Sequence, residues 1–193
     1  VMKERIKKEY LEFKTLMRSI PSLFVTLFCA SVIAMNLLAN KSIGGLPSWL
    51  ALDVGFTVSW MAFLTMDVVT KYFGLKAANE LTLVGVGVNL IISLLFFIGS
   101  IIPGVWGESF VDVGGDAINK ALDNTFGGTW FVLLGSTAAF LVSGILNNVL
   151  NFLIGKALKN KKDNFLSFFL RTVVSTLIGQ FVDNLIFALN YDV

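Results

Sequence analysis

"STLIGQFVDNLIFAL", from Ser175 to Leu189, decides how this chain is read. Its aliphatic and aromatic residues have the density of a membrane helix, yet Gln180, Asp183 and Asn184 lie inside it and no lysine or arginine accompanies them. A charged side chain at the centre of a bilayer costs roughly 2.5–3.5 kcal/mol even on the mild insertion scale, so such a group faces a cavity or a partner. The stretch therefore predicts a spanning helix whose acid looks into a bundle. At 100° per residue, Gln180, Asp183 and Asn184 share an arc of about 100° on one face.

The composition agrees with that solvent. Of 193 residues, 55% are hydrophobic and only 15% charged, and the mean hydropathy is +0.78, which is outside the range of soluble globular domains. The length leaves room for one compact bundle. Cys29 lies in an apolar run and forms no disulfide framework. No histidine is present, which removes the commonest metal ligand, the usual proton shuttle and every histidine-based triad. No glycine-rich lysine loop is present either, so any use of ATP belongs to another chain. No constellation of nucleophile and base points to an enzyme, and nothing calls for a cofactor, a metal or nucleic acid.

Working outward, five runs have the roughly 20 apolar residues needed to cross about 30 Å of hydrocarbon. They are Pro21 to Ala39, Trp49 to Val69, Leu81 to Ile102, Trp130 to Ile154 and Phe165 to Leu189. The expected fold is an all-α polytopic membrane helical bundle with five spans, multi-pass in the plasma membrane. Residues 1–20 form a basic amphipathic helix along the inner surface or a solvated tail, and residues 21–193 form the bundle. Basic residues alternate between connections: six precede the first span, then Lys41 alone, then Lys71 and Lys76, then Lys120, then Lys156, Lys159, Lys161 and Lys162. Positive loops stay in the cytoplasm, so the N-terminus is expected inside and Val193 outside. The connection at 103–128 contains "DAINKALDNTF", which predicts a short surface helix; it is either a lid or an ordinary loop.

Depth along each helix sorts the polar residues into two layers. Asn36, Asp53, Gln180, Asp183 and Asn184 fall in the outer half, and Asp67, Asn147, Asn151 and Arg171 in the inner half, with Asn89 nearer the middle. In the inner layer, Ser143, Asn147 and Asn151 repeat every four residues and so share one face. Amides and hydroxyls in spans commonly join helices, which is the expectation for Asn89, Ser143, Asn147, Asn148 and Asn151. Arg171 is expected to snorkel or to pair with Asp67. Gln180 and Asp183, with Asn36, Asp53 and Asn184, have the chemistry of a binding site: a carboxylate accepts two hydrogen bonds side by side, and an amide both donates and accepts. Such a pair reads the edge of a flat polar heterocycle, with Trp60, Phe56 or Trp106 available to stack on its faces. A divalent cation would want more carboxylates.

Three stretches carry a resemblance. "MDVVTKYFGLKAANE" (Met66 to Glu80), "LLGSTAAFLVSGILNNVLNFLIGKALK" (Leu133 to Lys159) and "LRTVVSTLIGQFVDNLIFAL" (Leu170 to Leu189) resemble the vitamin uptake transporter family, most specifically in Ser175, Gln180 and Asp183 after Arg171. The chain departs from the family pattern at Lys71, where an acid is expected. The resemblance implies uptake of queuosine precursors, which are deazaguanine bases, and a sixth helix beyond the five spans. It implies a fold similar to the substrate-binding subunits of energy-coupling factor importers. A coupling subunit would dock on small residues such as Ala30 and Ala34, and a homo-oligomer stays open. The alternatives are capture of another vitamin in an energy-coupling factor complex, or a structural membrane subunit.

Overall fold

The computed structural model describes residues 2–45, 52–107, 115–128, 130–158 and 165–189. It is helical throughout, and the only β pairing among the described residues is an isolated bridge between Ser42 and Asp53. Helix α1 spans Met2–Ser19 and α2 Ser22–Leu38, with a bend of 99° between them. Pro21 explains the corner: it has no N–H to continue α1, and it pushes Ile20 out of the helical region. Helix α1 buries none of its own residues fully; the Glu12 carboxylate meets the Lys76 ammonium at 2.7 Å, and Leu16, Met17 and Ile20 pack on the core.

Helix α3, Phe56–Ile101, is broken at Gly74, whose φ of 90° and ψ of 166° suit a residue without a Cβ. The break is a reversal. The Thr82 hydroxyl lies 3.2 Å from the Met66 sulfur, although sixteen residues of unbroken helix would separate them by about 24 Å. One assigned helix is thus two antiparallel rods, residues 56–73 and Leu75–Ile101. The expected connection between the second and third spans shrinks to a single glycine.

Helix α4, Gly115–Asp123, followed by a wide π-turn at Asn124–Gly128, matches the short helix expected in "DAINKALDNTF". Helices α5, Trp130–Ala157, and α6, Phe165–Leu189, complete the bundle. Phe28, Phe63 and Phe140 are fully buried and bring α2, α3 and α5 together, with ring centroids 6.1 and 6.0 Å apart. Two ends result: a Gly74 end, where α1 lies, and an α4 end, where α2 finishes and α3 begins.

Among the described residues, three segments are long and apolar enough to cross a membrane: Leu75–Ile101, Phe165–Phe187 and the one containing α5. The bent α1–α2 pair makes a fourth if counted as one span. The five expected spans would also require α2 by itself and the first half of α3 to cross. Helix α2 has 17 residues, about 25 Å of rise, and the first half of α3 carries Asp67 and Lys71.

Candidate functional site

At the α4 end, residues far apart in the chain come together. Asp53 is fixed by the connection from α2: the Ile43 N–H donates to the Leu52 carbonyl at 2.9 Å, and the Val54 N–H to the Lys41 carbonyl at 2.7 Å. Its carboxylate then accepts the Phe56 N–H at 3.2 Å, satisfying one of the donors left open where α3 starts. Across from it, α6 presents Gln180, Asp183 and Asn184. Asp53, Gln180, Asp183 and Asn184 line a single cleft with Phe56 and Ser59 of α3. Met35, Gly55 and Ser136 complete its walls.

Hydrogen bonds hold this cleft narrow. The Gln180 amide donates to the Ser59 hydroxyl at 3.1 Å, which bridges α6 to α3. The Ser143 hydroxyl donates to Asp183 Oδ1 at 2.8 Å, and the Asn184 amide donates back to the Gln180 carbonyl at 2.8 Å. The space between the lining atoms has room for about one water molecule at most. Helix α6 leans mainly on α5 and only lightly on α3, so the side that can widen is the one bridged by Gln180 and Ser59.

Other expected members lie elsewhere. Asn36 is fully buried and donates to its own helix at the Val32 carbonyl, 2.8 Å, while its oxygen has no partner; its neighbour Met35 lines the cleft, and Asn36 does not. Trp60 is half exposed on the outside of α3 and is absent from the lining, where Phe56 supplies the aromatic face. Trp106 stacks on Phe126 at 5.0 Å and donates to the Asp123 carboxylate at 2.8 Å, so it belongs to the cap built by α4 and the π-turn. Ser59 and Ser136 were not singled out by sequence. Ser59 lies six residues after Asp53, which a helical wheel alone could not align with α6.

Toward the Gly74 end lies a second polar cluster. Asp67 is fully buried and accepts the Asn147 amide at 2.8 Å, the Thr176 hydroxyl at 3.1 Å and the Ser175 hydroxyl at 3.3 Å from each carboxyl oxygen. Arg171 reaches Asp67 by relay rather than by the expected pairing. Its guanidinium donates twice to the Asn151 oxygen, at 3.0 and 2.5 Å, and the Asn151 nitrogen donates to Ser175 at 3.3 Å. Gly155 leaves room for that guanidinium. Asn148 donates to Asn79 at 3.0 Å and Thr82 at 3.1 Å, and Asn89 donates to Thr137 at 2.7 Å, so both join helices as expected. Ser143 is drawn off the inner layer to Asp183, so the stripe on α5 serves both clusters in turn. Ala30 is exposed and Ala34 partly so on α2.

Among the described residues, no group of three or more acids and cysteines is arranged to hold a metal. A family model described as "Putative vitamin uptake transporter" matches residues 53–190. No curated protein and no solved structure matches the chain.

Proposed function

The chain belongs to the vitamin uptake transporter family, and from that premise we propose that it imports a small, flat, polar heterocycle of the queuosine-precursor class, a deazaguanine base. The α4 end faces outward, the N-terminus is cytoplasmic, and α2, both halves of α3, α5 and α6 are the five spans in the plasma membrane. Helix α1, turned 99° from α2, lies along the inner surface. The supporting observation is the convergence of Asp53, Gln180, Asp183 and Asn184 on one cleft, although more than 120 residues separate the first from the rest.

Ser143 engages one oxygen of Asp183 and leaves the other for the guest. A base offering adjacent N–H groups gains charge-assisted hydrogen bonds there, each worth about 1.5–3 kcal/mol. Gln180 exchanges Ser59 for a ring acceptor as the cleft widens, and Phe56 covers the ring face. Nothing in this arrangement needs a cofactor.

Calorimetry on purified protein with deazaguanine bases and guanine tests the reading. Binding that disappears in Asp183→Ala supports it. A protein that binds no heterocycle but co-purifies with other subunits is a structural membrane subunit instead, and preference for a different vitamin redirects the substrate class.

A further inference from the structure

The shell around Asp67 has an unusual chemical character. Its three nearest partners, Asn147, Ser175 and Thr176, can each either donate or accept: a hydroxyl turns, and an amide flips. The Asn147 oxygen is buried without a partner, so the same amide that gives its nitrogen to a carboxylate has an oxygen ready for a carboxylic acid. The fixed donor, Arg171, is held one step away on Asn151. Contacts of 2.8–3.3 Å close directly on the carboxyl and leave no gap for a metal ion among them, whereas a proton takes no volume.

Charged and titratable groups approach this shell from several helices. On α3, Lys71 lies one turn on, its ammonium over the rings of Tyr72 at 5.4 Å and Phe168 at 4.8 Å. Past Gly74, the second half of α3 brings Lys76 and Glu80. Helix α6 brings Arg171 and Asp183, α5 has no charged side chain before Lys156, and the one titratable group of α2 is Cys29. Four residues along α5, about 6 Å of rise, separate Ser143 on Asp183 from Asn147 on Asp67, so a shift of α5 or α6 at the cleft is felt at the second acid.

We infer that uptake is coupled to protons and that Asp67 carries the proton through the cycle, with Asn147, Ser175 and Thr176 exchanging donor and acceptor roles around it. This rests on the uptake reading above. The proton enters with the base from the acidic outer side, resides on a carboxyl oxygen of Asp67, and leaves to the cytoplasm as the carboxylate re-forms. No covalent chemistry and no nucleotide is required of this chain.

The test uses purified protein in lipid vesicles, a labelled deazaguanine base and a pH step of one unit, alkaline inside. One proton per base gives accumulation of up to about tenfold. Asp67→Asn is expected to bind the base and equilibrate it across the membrane without accumulating it. Infrared spectroscopy without ligand supplies an independent reading: a titrating carboxylic-acid carbonyl band that is present in the parent protein and in Asp183→Ala and is missing in Asp67→Asn. Should Asp67→Asn not fold, Thr176→Val keeps the carboxyl and is expected to move the midpoint of that band. Accumulation that follows a sodium gradient, pH-driven accumulation that survives in Asp67→Asn, or a band that ignores pH overturns the inference. Absence of base binding while the band still titrates removes the uptake reading, and the coupling with it.

Discussion

Asp183 and Asp67 are two acids in apolar helices, served by the same stripe of α5 one turn apart, and they differ in company. Asp183 accepts one side-chain hydrogen bond, from Ser143, and borders a cleft. Asp67 accepts from three residues at once and is fully buried. A carboxylate has about four acceptor sites, so the first has capacity to spare and the second has little. Unspent hydrogen-bonding capacity beside a space is what the proposed guest site requires; a closed shell of partners that can each donate or accept is what the proposed proton carrier requires.

The comparison breaks most easily at Asp183. Asp183→Ala is expected to weaken base binding about 100-fold or more, equivalent to losing two charge-assisted hydrogen bonds of at least ~1.5 kcal/mol each, and to abolish uptake while yield in the membrane stays normal. Undiminished uptake in that variant would end the assignment. Asn151→Ala strips Arg171 and Ser175 of a shared partner and should cost about 2 kcal/mol, read as a lower Tm with base affinity intact. A selective fall in affinity there would mean that the ligand reaches the Gly74 end.

Smaller effects sharpen the picture of the cleft itself. Gln180→Ala should weaken binding about tenfold, the worth of one hydrogen bond near 1.4 kcal/mol, measured by calorimetry. Ser59→Ala has the opposite sign: freeing Gln180 from its bridge should raise affinity a few-fold, and an unchanged value would show that the bridge does not hold the cleft shut. Trp60→Leu, on the exposed side of α3, should move neither affinity nor Tm beyond about 0.5 kcal/mol of effect, because the side chain is half exposed and does not line the cleft.

Much of this was legible beforehand. The apolar runs announced helices in a membrane because hydrocarbon leaves backbone polar groups no partner but each other. The four-residue spacing of Ser143, Asn147 and Asn151 put them on one face, and all three do point at neighbouring helices. Gln180, Asp183 and Asn184 share a face in the same way and share one cleft. The failures are equally specific. Trp60 neighbours the cleft-lining Ser59 but does not line the cleft itself, and the spacing that groups Ser143 with the inner layer does not reveal that its hydroxyl turns to Asp183. Ser59 and Ser136 had no signal, since a serine in a span reads the same whether it bonds its own helix or a neighbour.

The sequence alone determined the solvent, the helical class and the inward turn of the acid in α6, because each follows from composition or from the fixed 3.6-residue period within one helix. Only the tertiary structure decided that α3 doubles back at Gly74, that Asp53 shares a cleft with Gln180, and that one stripe on α5 divides itself between two carboxylates. Those relations depend on how far each rod slides and rotates against the next. A period within a helix carries no information about that, and close packing of the Phe28, Phe63 and Phe140 core supplies it.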